Sequence, residues 1–211
     1  MINVLCFGDS NTNGTNPAGG RHPRDVRWTG RLQRLLGNDW YVIEEGMGGR
    51  TTVYNNPLEP HRSGIEALPI ALVTHRPLDY VIIALGTNDM KDMFRADARA
   101  IAAGVDMLVQ EVKHTGNRGQ DTPRIVIVSP ILLRPGIGES PFIGFREEAR
   151  EVSLKLAPEI RKVADREGCL FLDGAQVAEA SDLDKLHMDG ENHAKMARAL
   201  ADLLLADRVA D

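Results

Sequence analysis

Cysteine is nearly absent from this chain: 2 of 211 residues, Cys6 and Cys169. Each sits inside an apolar run, "VLCF" and "GCLFLD". Such surroundings suit a buried free thiol, and they exclude a disulfide-stapled scaffold. No apolar run approaches the roughly 18 residues of a membrane-spanning helix. Basic residues are not in excess either. Lys and Arg number 25 against 30 Asp and Glu, a net charge of -5. A nucleic-acid footprint is therefore not expected, and binding to an anionic membrane surface is disfavoured. No basic segment and small-residue cleavage site precede the run that starts at Ile2, so a cytoplasmic protein is expected. Repeats, low-complexity tracts and linkers are missing, which predicts a single domain over 1–211. What remains is an ordinary globular composition, 43% hydrophobic and 26% charged.

Five short apolar runs rich in β-branched residues recur along the chain: Ile2–Phe7, Trp40–Glu45, Asp79–Gly86, Arg124–Pro130 and Cys169–Asp173. The third and fourth are almost continuously apolar, as strands buried on both faces read. Helical segments lie between them. Asp25–Gly37 ends on a glycine suited to a C-cap. Ser63–His75 contains Pro69, which is expected to break or restart its helix. Asp97–Gly116 carries an apolar stripe at Ile101, Val105, Leu108, Val109 and Val112. Phe145–Gly168 contains Pro158, a predicted kink or break. Asp189 is an N-cap candidate for a last helix reaching Val209. Alternating strands and helices predict a parallel sheet covered on both faces, a three-layer α/β/α fold of flavodoxin-like kind. In such sheets ligands bind beyond the carboxyl ends of the strands. The loops there belong together: "GDSNTNG", "EGMGGRTT", "GTNDMK", "SPILLRPG" and "SDLDKLHMDG".

Ser10 stands at the end of the first strand. It is either a turn and helix N-cap residue or a nucleophile awaiting a base. The spacing from Gly8 to Gly14 is one residue too long for a phosphate loop, and Thr15 stands where lysine should. The glycines of "GMGGR" let backbone N–H groups approach a ligand, or simply turn the chain. Asn88 offers an amide donor of the type that stabilises oxyanions, or closes an Asx turn. Asp184 precedes His187 by three residues, a spacing that lets the carboxylate hold one ring nitrogen while the other faces outward. His193, inside the last helix, reads as structural or as a support behind the site. Asp184, His187, Asp189 and His193 match no standard zinc spacing. His22 and His61 are candidates for a rim.

Together the blocks "FGDSN", "GMGGRTT", "LGTNDMK" and "DKLHMDG" resemble the GDSL/SGNH hydrolase superfamily, which carries Ser, Gly, Asn and His in this order. Further stretches, "DVRWTGRLQRLLG" and "THRPLDYVIIALGTNDMK" among them, look like its arylesterase and acyltransferase branch. The resemblance implies the SGNH fold with a five-stranded parallel sheet, Ser10 as nucleophile, His187 as base and Asp184 as its partner. It implies an oxyanion hole from the N–H of Ser10, the N–H of Gly49 and the amide of Asn88, with Gly48 as the neighbouring candidate. It also implies a homo-oligomer. Asn11 replaces the family's leucine; it is expected to make the pocket floor polar or to bond within its own loop. There is no Gly-x-Ser-x-Gly elbow, which disfavours the ordinary α/β-hydrolase fold.

The implied chemistry is acyl transfer through a serine ester, needing no metal and no organic cofactor. The expected partner is a small-molecule ester: an aryl or short-chain carboxylic ester, or an acetylated small molecule or sugar. Few aromatics, 5%, and no lid-like apolar insertion disfavour a long-chain lipase. Phe142, Ile143 and Phe145 are expected to contact an acyl group or a neighbouring subunit, or to pack on the domain itself. A carbohydrate O-deacetylase or thioesterase would use the same triad. A non-catalytic ligand-binding α/β protein is the rival from another class.

Overall fold

The computed structural model describes residues 1–116 and 121–210. Five strands, β1 (Ile2–Gly8), β2 (Trp40–Gly46), β3 (Tyr80–Ala84), β4 (Arg124–Ser129) and β5 (Leu170–Asp173), form one parallel sheet in the order β2-β1-β3-β4-β5. Each strand lies where an apolar run predicts it, and side-chain alternation sorts the core into two layers. Leu5, Phe7, Val81, Ile83, Ile125 and Ile127 face one cluster. Val4, Cys6, Tyr80, Ile82, Val126 and Val128 face the other. Helices α3 (Gly64–His75), α4 (Ala98–Thr115) and α5 (Ala149–Glu167) cover the first face; α2 (Trp28–Leu36) and α6 (Gly190–Ala210) cover the second. Both cysteines are free. Among the described residues, no helix is long and apolar enough to cross a membrane.

Two helices differ from expectation. Pro69 and Pro158 lie inside α3 and α5 and divide neither. An interior proline removes one backbone hydrogen bond and costs about 3 kcal/mol. Here the side chains on both sides of each proline, Leu68 with Leu72 and Leu156 with Ile160, are buried in the same core cluster. That shared packing keeps each helix continuous across its proline.

The register decides where the loops meet. Gly8 pairs with Gly46 on one side and with Ala84 on the other, so β1, β2 and β3 end level. The one-turn helix α1 (Ser10–Asn13) follows β1 at once and packs on the end of β2. A Cβ on Gly46 would stand 2.1 Å from the Asn13 nitrogen, so only glycine permits this approach.

Candidate active site

Asp9 and Gly14 bracket α1. The Asp9 carboxylate accepts from the Asn11 N–H at 2.9 Å, and the Gly14 N–H donates to the Ser10 carbonyl. Ser10 thus sits in the first position of a capped turn, buried, at the sheet's carboxyl edge. The chain from β5 returns across the sheet to meet it. Asp184 and His187 lie in a turn closed by the Ser181 N–H to the His187 carbonyl, 2.7 Å, and the Lys185 N–H to the Ser181 carbonyl, 2.9 Å. Lys185 adopts a left-handed φ of 66°, a conformation that costs a non-glycine residue of order 1 kcal/mol. The segment after β4 supports it: the Arg134 N–H donates to the Lys185 carbonyl, and the Ser140 hydroxyl donates to the Asp184 carbonyl at 2.8 Å.

Within this turn the Asp184 carboxylate is fully used. Its Oδ1 accepts the N–H groups of Leu186, 3.0 Å, and His187, 2.9 Å, while Oδ2 faces His187 Nδ1 at 2.7 Å. Burial pushes this carboxyl upward, but the bonds from the His187 ring and the two N–H groups outweigh it and leave the group below the usual carboxylate range. The carboxylate is therefore ionised at neutral pH and acts only as acceptor. That places the ring proton on Nδ1 and leaves Nε2 with a free lone pair. His187 Nε2 lies 2.8 Å from Ser10 Oγ. Asp184 and His187 are 2% and 1% exposed, so the pair is shielded from water.

Three loops are tied together by residues that the sequence did not single out. Arg50, within "GGRTT", is buried against the Phe7 ring, 4.1 Å from its centroid, and donates to the carbonyls of Gly8, 2.9 Å, and Glu45. Burial pushes its guanidinium down to about 10. The Asn88 amide donates to the Arg50 carbonyl at 3.1 Å. Asp89 accepts from the Thr52 N–H at 2.9 Å and from the Thr52 hydroxyl. Its burial raises the carboxyl to about 6 despite these bonds. A charged residue beside a Gly-Gly pair, and an Asp next to Asn88, are the only traces these roles leave in sequence.

Asn11 departs from expectation. Its side chain does not bond within its own loop. It crosses to the histidine turn, where its Oδ1 accepts the Met188 N–H at 2.9 Å and its Nδ2 donates to the Leu186 carbonyl at 3.4 Å. The residue after the serine thus holds the backbone on both sides of His187. A leucine cannot do this.

Ser10, Gly48, Gly49, Asn88 and His187 all line one cavity of about 480 Å³, within the range of small-molecule sites. Among the described residues, the N–H groups of Ser10, Gly48 and Gly49 donate to no protein acceptor. Gly49 holds φ at +77°, a conformation reserved in practice for glycine. Phe142 stands edge-on to the His187 ring, centroids 4.7 Å apart. Ile143 is largely exposed, whereas Phe145 is buried in the core and shows only part of its surface to the cavity. His22 and His61 form no rim. His22 is buried against His193, ring centroids 5.1 Å apart, and His61 is exposed; neither lines the cavity. His193 Nδ1 accepts the Trp28 N–H at 3.3 Å, and burial pushes its ring down to about 3, so it is a neutral structural residue. Asp189 caps α6 through the Asn192 N–H at 2.9 Å.

Residues 6–196 match the model of the GDSL-like lipase/acylhydrolase family. The chain belongs to this family. Chains of known structure superpose over almost the whole length. The native M. smegmatis aryl esterase is 36% identical, with a TM-score of 0.90 over 98% of this chain and 99% of that one. Est24, a carbohydrate acetylesterase from Sinorhizobium meliloti, is 32% identical, with a TM-score of 0.90 and the same coverage. A carbohydrate acetylesterase family member from the same organism is 37% identical, with a TM-score of 0.90 over 97% of each chain. Comparison with curated proteins gave no match. Family and neighbours make this chain a GDSL-type carboxylic ester hydrolase, with the SGNH fold and its five-stranded parallel sheet.

Proposed function

We propose that this GDSL hydrolase is a serine esterase for small, short-acyl or aryl esters, working through an acyl-enzyme on Ser10. The observation that carries the reading is the chain of contacts from Asp184 Oδ2 through His187 to Ser10 Oγ, at 2.7 and 2.8 Å. His187 Nε2 takes the hydroxyl proton as Ser10 Oγ attacks the ester carbonyl, and Asp184 stabilises the imidazolium that forms. The oxyanion is held by the N–H of Ser10, the N–H of Gly49 and the Asn88 amide. His187 then protonates the departing alcohol. Water, activated in turn by His187, adds to the acyl carbonyl and releases the acid and free Ser10. A second alcohol entering in place of water would make the same cycle an acyl transfer.

The cavity supports small substrates. Its polar wall includes Asn56, Glu59 and Lys91, with an ion pair of 2.5 Å between the last two. This wall also favours acetylated polar compounds, so a carbohydrate acetate is the second substrate class to test. A p-nitrophenyl ester series tests the reading. Rates are expected to be highest for acetate and to fall as the acyl chain outgrows the cavity. A rate that rises up to long acyl chains contradicts it.

Asn11 yields a second expectation. Asn11→Leu strands the Met188 N–H and frees the histidine turn. A loss of about ten- to a hundredfold in kcat, with KM little changed, is expected in steady-state kinetics. Wild-type kcat in this variant would mean that His187 is positioned without Asn11.

A further inference from the structure

Arg62 is the one side chain of the cavity whose charge the protein leaves unanswered. It lines the same space as Ser10 and His187. Its Nε is buried and, among the described residues, has no hydrogen-bond partner, and its only side-chain bond among them is a long one, 3.5 Å, from Nη1 to the Pro60 carbonyl. Among the described residues, no carboxylate lies within ion-pair distance of it. Glu59, whose Oε1 lies on the same side of Gly49, stays outside ion-pair distance, and its Oε2 takes both Lys91 at 2.5 Å and the Asn56 amide at 3.1 Å. Lys91 and Glu59 thus cancel, and the guanidinium remains as a net positive charge in the wall. A buried donor without a partner is costly, and native proteins rarely retain one that no ligand satisfies.

Position adds to the argument. A Cβ on Gly49 would stand 3.1 Å from Arg62 Nε, so the guanidinium lies directly against the loop that holds the Gly49 N–H. Its backbone is fixed there, since the Arg62 carbonyl accepts the Thr51 N–H at 3.0 Å. The guanidinium presents a planar fork of N–H donors, and the group that matches it is a carboxylate.

We propose that Arg62 forms an anion subsite in this cavity and that the preferred substrate is an ester bearing a carboxylate. The inference rests on the esterase reading and names its substrate class. The carboxylate can belong to the alcohol part or to the acyl part of the ester, and two pairs of substrates separate these sources. The alcohol-side pair is 4-acetoxybenzoate and its neutral methyl ester. The acyl-side pair is mono(4-nitrophenyl) succinate and its neutral methyl ester. In one pair at least, wild-type kcat/KM for the anion is expected to exceed that for the neutral partner by tenfold or more. Arg62→Gln is expected to lower that ratio by about ten- to a hundredfold, and Arg62→Lys to restore part of it. A wild-type ratio of one or less in both pairs, or a ratio that Arg62→Gln leaves unchanged, overturns the subsite.

Binding gives an independent reading. Calorimetry with Ser10→Ala measures the affinity for both anionic esters without turnover, with and without Arg62→Gln. Weaker binding in the double variant supports the subsite even if wild type cleaves none of the four esters, a result that would sink the esterase reading instead. Equal binding in the two proteins, or none in either, overturns the subsite.

Discussion

Ser10→Ala, His187→Ala and the double variant are expected to fall to the same floor, about a millionfold below wild type in kcat for p-nitrophenyl acetate. The reason is that the two side chains act as one unit. Without His187 Nε2 at 2.8 Å, the Ser10 hydroxyl keeps its proton and is a poor nucleophile. Without Ser10, the imidazole has nothing to activate. The second deletion therefore costs almost nothing once the first is made. The residual rate over water comes from the groups placed around the oxyanion, and these the variants leave intact. Steady-state kinetics on the three proteins decides the matter. Losses that multiply, with the double variant far below either single one, would mean that the two residues contribute separately. Thermal melting of the same samples shows whether folding is retained. In Ser10→Ala, losing one hydroxyl and its single bond to His187 is expected to move the midpoint by only a few degrees.

The second large effect concerns Asp184→Asn, expected to lower kcat about ten-thousandfold while leaving the fold in place. The hydrogen bonds of the turn dictate the sign. Oδ1 accepts the N–H groups of Leu186 and His187, so the carbonyl oxygen of an asparagine must occupy that position. Its NH2 group then takes the place of Oδ2, 2.7 Å from His187 Nδ1, and donates to it. The imidazole answers by moving its proton to Nε2, the nitrogen that faces Ser10 Oγ. The ring is then in the wrong tautomer and cannot accept the serine proton. KM is expected to change little, because Asp184 does not line the cavity. A loss of tenfold or less would show that the carboxylate is not what sets the tautomer of His187.

Much of this arrangement is legible in the sequence, and the reasons are local. β1 ends at Gly8 because α1 must turn at once and pack against Gly46, and "FGDSN" carries that break as a glycine followed by a capping aspartate. Asp184 and His187 meet because three residues on a tight turn bring a carboxylate to a ring nitrogen. The parallel direction of the strands follows from the helices that alternate with them, whereas their order does not.

What the sequence hides depends on contacts between distant segments. Asn11 reaches 177 residues ahead to Met188, so no local pattern announces it. Arg50 and Asp89 tie loops that are 37 to 42 residues apart, and their types suggest surface charges rather than buried anchors. The prolines of α3 and α5 mislead in the opposite direction: a local rule expects a break, and tertiary packing overrides it. Phe142 and Phe145 are three residues apart, yet one edges the His187 ring and the other belongs to the core. Periodicity is silent there because the segment between β4 and α5 has no regular structure beyond one short turn of 3-10 helix.

The central claim is that Ser10 is an activated nucleophile, and covalent labelling tests it most directly. The protein is treated with a fluorophosphonate, quenched, digested and mapped by mass spectrometry. One adduct per chain is expected, on the peptide that contains Ser10, with none in Ser10→Ala and strongly slowed labelling in Asp184→Asn. An unmodified Ser10 peptide after prolonged exposure, or an adduct confined to another residue, would contradict the account.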